Sequence, residues 1–187
     1  MLIILCVLEK MKRIVISLIP LIFLILIVIV GVIAIKNNSK ENELATKFEN
    51  HEIIDLPQFS FQNLYQNQEN LTNLDFKEGY SLLNIFASWC VTCHAEHDIL
   101  LELAKSKKIK IYGIAFQDID ENTKKYLENN GNPYLKVGVD RRGELRKLLS
   151  VNGVPESFLI NNKGQIIYRH QGNLTQDMVK FLTHFRR

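Results

Sequence analysis

Between Arg13 and Lys36 the chain runs for 22 residues, 14–35, without one charged side chain. No other feature limits its fold as strongly. At a rise of 1.5 Å per residue such a run makes about 33 Å of helix, enough for a hydrocarbon core of about 30 Å. Ser17, Pro20 and Gly31 interrupt the run, and spanning helices tolerate all three residue types. The alternative is a cleaved signal peptide, with an apolar region of about 7–15 residues ending in a small-residue cleavage site. This run is longer, and Ile33-Ala34-Ile35-Lys36 fits such a site poorly. The sequence therefore predicts residues 1–13 as a cytoplasmic N-terminus, 14–35 as one transmembrane anchor, 36–52 as a polar tether and 53–187 as a folded domain.

The flanks orient the anchor. Glu9, Lys10, Lys12 and Arg13 precede it with net +2, whereas Lys36, Lys40, Glu41 and Glu43 after it cancel. Positive charge is retained on the cytoplasmic side. The domain is thus expected across an inner membrane, in a periplasm or its organellar equivalent, where disulfide chemistry is permitted. Met11-Lys12-Arg13 is by itself a complete beginning for such an anchor, so Met1 and Met11 both stand as candidate starts. Cys6 lies on the wrong side of the membrane to join the other two cysteines.

The remainder reads as one soluble domain. The full chain is 47% hydrophobic and 23% charged, neither disordered nor fibrous. A net charge of +3 supplies no field for nucleic acid. Three cysteines are too few for a disulfide-stapled scaffold or a four-cysteine zinc site. Residues 59–61 alternate as a short strand, and 80–87 (YSLLNIFA) and 109–116 suit buried strands. A helical stripe follows Cys93 through Ile99, Leu100, Leu103 and Ala104. Asp120 is a candidate cap for a helix to Asn130, ended by Gly131 and Pro133. A strand over 135–139, a helix around 143–149, a hairpin of 157–160 with 165–170 and a last helix capped by Thr175 complete the order. Alternation of this kind predicts an α/β fold, a mixed sheet with helices on both faces.

Trp89-Cys90-Val91-Thr92-Cys93 falls where the 80–87 strand ends and a helix begins. A sulfur at a helix N-terminus meets unpaired N–H groups and the positive end of the dipole, which favour thiolate. Cys90, at the exposed entry, is the candidate attacking sulfur. Cys93, one turn inside, is the candidate resolving sulfur, and two intervening residues let the pair bridge. Three other readings compete. Cys90 through His94 also matches C-x-x-C-H, the c-type haem attachment sequence, although a buried strand before it and Met178 as the only later methionine weigh against haem. Zinc bound by Cys90, Cys93 and His94 or His97 is a second. A structural disulfide is a third, but closing so short a loop gains little.

Several stretches together resemble the CcmG/DsbE family, membrane-anchored thiol:disulfide interchange proteins of the thioredoxin superfamily. They are Leu83 to Cys90 (LNIFASWC), Cys93-His94-Ala95-Glu96-His97, Tyr112 to Phe116, Gly131-Asn132-Pro133-Tyr134, Gly153 to Ile160 (GVPESFLI) and Tyr168-Arg169-His170. The resemblance implies a thioredoxin-like fold and a dithiol reductant of cytochrome c maturation. Its substrate would be apocytochrome c or a haem-ligation chaperone, and a DsbD/CcdA-type membrane carrier would re-reduce it. A general membrane-tethered reductase of the TlpA/ResA kind is the alternative within the same fold. No cofactor is expected beyond a redox-active Cys90–Cys93 disulfide. Asn152 to Glu156 resembles the cis-proline loop of thioredoxin folds, which implies a cis Val154–Pro155 bond facing the cysteines and a Val154 backbone open to substrate. Trp89 is expected as a wall of the site.

Two departures bear on mechanism. The family often has Pro where Val91 stands. Thioredoxins proper carry a buried Asp where this chain has Asn84, and Asn cannot act as a base, so proton transfer from Cys93 needs another group. Glu96 is one candidate, because position i+3 shares a helix face with Cys93. Glu156, beside Pro155, is the other. His94 and His97 are expected at the surface, where either could tune Cys90.

Overall fold

The computed structural model describes residues 19–20, 22–36 and 52–184. Residues 1–18 and 21, and all but the ends of the expected tether, lie outside the described residues. The chain divides into two units, Met1–Glu43 and Leu44–Arg187. In the first, residues 22–36 form helix α1, whose apolar side chains are exposed, from Ile22 at 56% to Ile35 at 70%. Among the described residues no helix is long and apolar enough to cross a membrane.

The second unit is built on a six-stranded sheet ordered β1-β8-β7-β4-β5-β6. Its strands are β1 (Ile54–Asp55), β4 (Ser81–Phe86), β5 (Lys110–Phe116), β6 (Val137–Asp140), β7 (Glu156–Ile160) and β8 (Gln165–Gln171). The middle is parallel, β4 with β5 and β5 with β6, while β7 pairs antiparallel to both β4 and β8. All six residues of β4 are buried, as its uninterrupted apolar run requires of a strand covered on both faces. Side chains alternate across it. Leu82 and Phe86 enter one core cluster, Leu83 and Ile85 the other.

Helices α2 (Val91–Ser106) and α3 (Asp120–Asn130) connect β4 to β5 and β5 to β6. Both crossovers step the same way along the sheet, so right-handed connections place both helices on one face. Leu100, Leu103, Tyr126 and Leu127 accordingly share a cluster, joined by Met178 and Leu182 of α5 (Gln176–His184). After β6 the chain returns to β7 through α4 (Leu145–Leu148), which lies on the other face, where Leu145 packs with Phe158 and Ile160. Helices thus occupy both faces as expected, but α4 is a single turn. The second face is filled chiefly by the ribbon of β2 (Ser60–Phe61) and β3 (Leu71–Thr72) and by Phe76 of a short 3-10 turn.

One cap differs from expectation. The N-cap of α3 is Ile119, without a side-chain bond, and Asp120 is the first helical residue. Its neighbour Asp118 takes the local donors instead, accepting from Ile119 N at 2.8 Å and Thr123 Oγ1 at 2.9 Å. Thr175 does cap α5, accepting from Met178 N at 3.4 Å.

Candidate active site

Three loops meet at one end of the sheet, and strand direction brings them there. Parallel pairing sets the C-terminal end of β5 beside that of β4, Phe86 opposite Ala115. Antiparallel pairing sets the start of β7 there too, Ile85 opposite Glu156. Residues 87–90, 117–119 and 150–155 therefore gather around the start of α2.

Cys90 and Cys93 form a disulfide with Cα atoms 5.2 Å apart. Cys90 is the N-cap of α2, one position outside the helix, and its Sγ accepts from Cys93 N at 3.0 Å. Thr92 Oγ1 lies 3.3 Å from the same sulfur. A thiolate at Cys90 would meet these two donors and the positive end of the helix dipole. Among the described residues no such donor reaches Cys93 Sγ. The expected exposure of Cys90 is corrected for this oxidised state: Cys90 is 4% and Cys93 2% exposed, because the bridge folds both sulfurs against the apolar core. Trp89 at 60% and Val91 at 82% are exposed beside the pair, as are Thr92 and His94.

The entry to the pair is pinned from two sides. Asp118 accepts from Ser88 N at 2.5 Å and Ser88 Oγ at 2.9 Å. Trp89 Nε1 donates to Gln117 O at 3.3 Å, which ties the exposed indole to the loop after β5. His94 Nε2 donates to Ser88 O at 2.7 Å, and its ring lies 4.5 Å from that of Tyr126. His97 is not at the surface. It is 4% exposed, bonded to Gly131 O through Nε2 and to Tyr126 Oη through Nδ1. These bonds hold α3 against α2. Among the described residues no group of three or more His, Cys, Asp or Glu is placed to hold a metal ion.

Glu96 is buried at 1% one turn beyond Cys93, on the sheet side of α2. Its Oε1 accepts from Asn84 Nδ2 at 2.9 Å and its Oε2 from Leu174 N at 2.8 Å. Burial pushes the carboxyl above its ordinary range, and these two donors pull it partly back. Asn84 Nδ2 also donates to Ser157 Oγ at 3.0 Å, and Asn84 Oδ1 accepts from Tyr134 Oη at 2.7 Å. Burial, then the charge of Glu96, raises the Tyr134 hydroxyl well above the usual tyrosine value. The same two causes, in the same order and followed by Asp98, put Tyr126 at about 12.

Glu156 is 1% exposed but faces away from the disulfide. Along β7 Ser157 reaches Asn84 on the α2 face, so Glu156 and Phe158 point to the opposite face. There Glu156 forms an ion pair with Arg169 Nε, and Arg169 Nη2 donates to Ser150 O at 2.8 Å. Glu156, the second candidate acceptor for the Cys93 proton, thus lies on the sheet face away from the disulfide, paired with Arg169. Val154–Pro155 is cis; Val154 packs against both core clusters, and Pro155 O accepts from Gly172 N at 2.9 Å. Sequence reasoning missed Asp118, Tyr134 and Tyr126. Only a polar residue just before a helix hinted at Asp118, and burial alone reveals the two tyrosines.

A redoxin family model matches residues 54–182. A "Probable thiol:disulfide interchange protein DsbE-2" of Pasteurella multocida is 39% identical over 123 residues, 66% of this chain and 64% of that protein. The chain thus spans slightly less than two thirds of that relative. A "Thiol:disulfide interchange protein DsbE" of Haemophilus influenzae is 34% identical over 160 residues, 85% of this chain and 87% of that one. The crystal structure of a DsbF homologue from Corynebacterium diphtheriae shares the fold, with a TM-score of 0.62 at 20% identity over 72% of this chain and 88% of that one. A bridged Cys-x-x-Cys at a helix start, a cis-proline loop on the neighbouring strand and these matches lead to one assignment: the chain belongs to the redoxin family, among the thiol:disulfide interchange proteins of DsbE type.

Proposed function

We propose that this chain is a membrane-anchored thiol:disulfide oxidoreductase that reduces the Cys-x-x-Cys-His disulfide of apocytochrome c, or of the chaperone presenting it, before haem ligation. The observation that carries the reading is the Cys90 Sγ capped by Cys93 N and Thr92 Oγ1 beside the Pro155 loop. In the reduced chain the Cys90 thiolate attacks one substrate sulfur, a mixed disulfide forms, and the other substrate sulfur leaves and takes a proton. Cys93 then gives its proton to Glu96 and attacks Cys90 Sγ. The substrate departs as a dithiol while the chain is oxidised to the observed disulfide. A DsbD/CcdA-type carrier restores the dithiol.

The anchor and the extracytoplasmic location belong to the same proposal. Supporting them are the charge-free run 14–35, the flank charges and the exposed apolar side chains of α1 from Ile22 to Ile35, a surface that suits lipid. The Haemophilus match, at 160 residues, is longer than 53–187 can supply and so reaches into the N-terminal segment.

Cys93→Ser retains the shape but removes the resolving sulfur, so the mixed disulfide through Cys90 is expected to accumulate. A trap holding Cys-x-x-Cys-His apocytochrome or a maturation component, together with loss of holocytochrome c, supports the reading. Many unrelated exported proteins with normal cytochrome levels would instead mark a general TlpA/ResA-like reductase. No thiol-sensitive adduct at all would overturn both. A C-terminal alkaline phosphatase fusion is expected to be active, and an inactive one would reverse the orientation.

A further inference from the structure

The buried chain from Tyr134 through Asn84 to Glu96 has only one hydrogen-bond direction while Glu96 is ionised. A carboxylate only accepts, so the Asn84 amide must turn Nδ2 toward Glu96 Oε1, at 2.9 Å. Its Oδ1 then faces Tyr134, and the phenol must donate, at 2.7 Å. The second N–H of the amide is taken by Ser157 Oγ at 3.0 Å. Every member is buried: Tyr134 7%, Asn84 0%, Glu96 1% and Ser157 2% exposed. In so dry a setting, aligned dipoles polarise one another, and each bond strengthens the next.

We propose that Tyr134 is a positioning residue for thiol–disulfide exchange: by donating to Asn84 Oδ1 it fixes and polarises the amide that holds Glu96 as a carboxylate able to take the Cys93 proton. The inference rests on the reading of Glu96 as that proton acceptor. Groups from each packed element face Glu96. Cys93 lies one turn back on α2, Tyr126 stands on α3, Tyr134 precedes β6, Asn84 and Ser157 are on β4 and β7, and the Leu174 N–H precedes α5. Tyr134 is held in place by its ring, stacked 4.8 Å from Phe86, and by Tyr134 N donating to Asn132 Oδ1 at 2.9 Å. Removal of the hydroxyl alone therefore leaves the packing intact.

The test is the pH profile of the resolving step, measured by stopped flow on the full chain in detergent with a disulfide-bridged Cys-x-x-Cys peptide. Resolution slows as pH falls through the Glu96 transition. Y134F removes one polarising donor, so the midpoint is expected to move up by about half a pH unit, about a threefold lower rate on the acid side, with the alkaline plateau unchanged. A merely structural role would lower the plateau or the melting temperature and leave the midpoint in place. E96Q is expected to abolish this limb, and Y134F added to E96Q to shift nothing further. An unmoved midpoint in Y134F, with the limb lost in E96Q, overturns the role of Tyr134 and leaves that of Glu96 standing. A limb that survives E96Q overturns both. Should Y134F not fold, NMR on the unaltered chain decides. The Asn84 side-chain amide protons and the Tyr134 hydroxyl proton are expected to titrate with the midpoint of the Glu96 carboxyl carbon, and resonances that stay fixed would sink the proposal.

Discussion

Arg169→Met isolates a buried carboxylate and separates a structural Glu156 from a chemical one. The Glu156 side chain is 2% exposed and that of Arg169 28%, with Nε on the carboxylate. Arg169 also donates to Ser150 O and lies 5.4 Å from the centre of the Phe158 ring. Truncating one member of a buried pair ordinarily costs about 3–5 kcal/mol, chiefly through the charge left behind. Because Arg169 is over a quarter exposed, water screens part of this, and about 2–4 kcal/mol is expected. Glu156→Gln retains an oxygen for the Arg169 donor and is expected to cost about 1–2 kcal/mol. The double variant Glu156→Leu with Arg169→Met removes both charges and should return to within about 1 kcal/mol of the unaltered chain. Urea unfolding of the oxidised protein, followed by circular dichroism, measures all three. Exchange rates of the folded variants should stay within about twofold, since the pair lies on the sheet face away from the cysteines. Additive losses in the double variant would refute the buried-pair reasoning. A large fall in exchange rate with stability preserved would return Glu156 to the chemistry.

Glu96 binds its proton more tightly folded than unfolded, so its contribution is greatest at low pH and is lost as pH rises from about 4.5 through the raised folded value. The unaltered chain is expected to lose more stability between pH 4 and pH 8 than Glu96→Gln in paired urea titrations, and equal losses would contradict this. At Gly113 an added Cβ would sit 2.9 Å from both Phe86 Cε1 and Tyr134 Cγ, so Gly113→Ala should cost about 1–3 kcal/mol by thermal melting. Asp118→Ala strands the Ser88 N–H and frees the Trp89 loop; a loss of about 2–3 kcal/mol and slower exchange with a peptide disulfide are expected, and unchanged rates would deny Asp118 its part in holding that loop.

The elements that sequence reading placed well are those whose signal is local. The β4 run, the cysteines at the start of α2 and the turn before β8 depend on neighbours within a few residues. The elements it misplaced depend on contacts distant in sequence. His97 carries a polar side chain on a helix, which reads as surface until α3 supplies Tyr126 and Gly131 O on its far side. Glu156 follows the proline whose loop neighbours the cysteines, yet strand alternation turns it to the other face, where Arg169 waits 13 residues later. The local pattern fixes neither the direction of that alternation nor the partner.

If Glu96 takes the Cys93 proton as proposed, the departure from the family pattern at Asn84 is repaired elsewhere. The central strand retains an amide where an acid is usual in thioredoxins, and the acid comes from α2 instead, as Glu96, with its Oε1 on that amide. The exchange moves the ionisable group onto the same helix as the sulfur it is read as serving. Registration between Cys93 and Glu96 then depends on three helical residues, each turning the side-chain direction by about 100°. A one-residue insertion between them would leave both cysteines at the helix start and carry the carboxylate off the sheet side. Such a chain should still form the Cys90–Cys93 bridge and the Cys90 mixed disulfide with a peptide, while resolution loses its acid limb. If resolution kept that limb in the inserted chain, the proton acceptor would have to be sought outside α2.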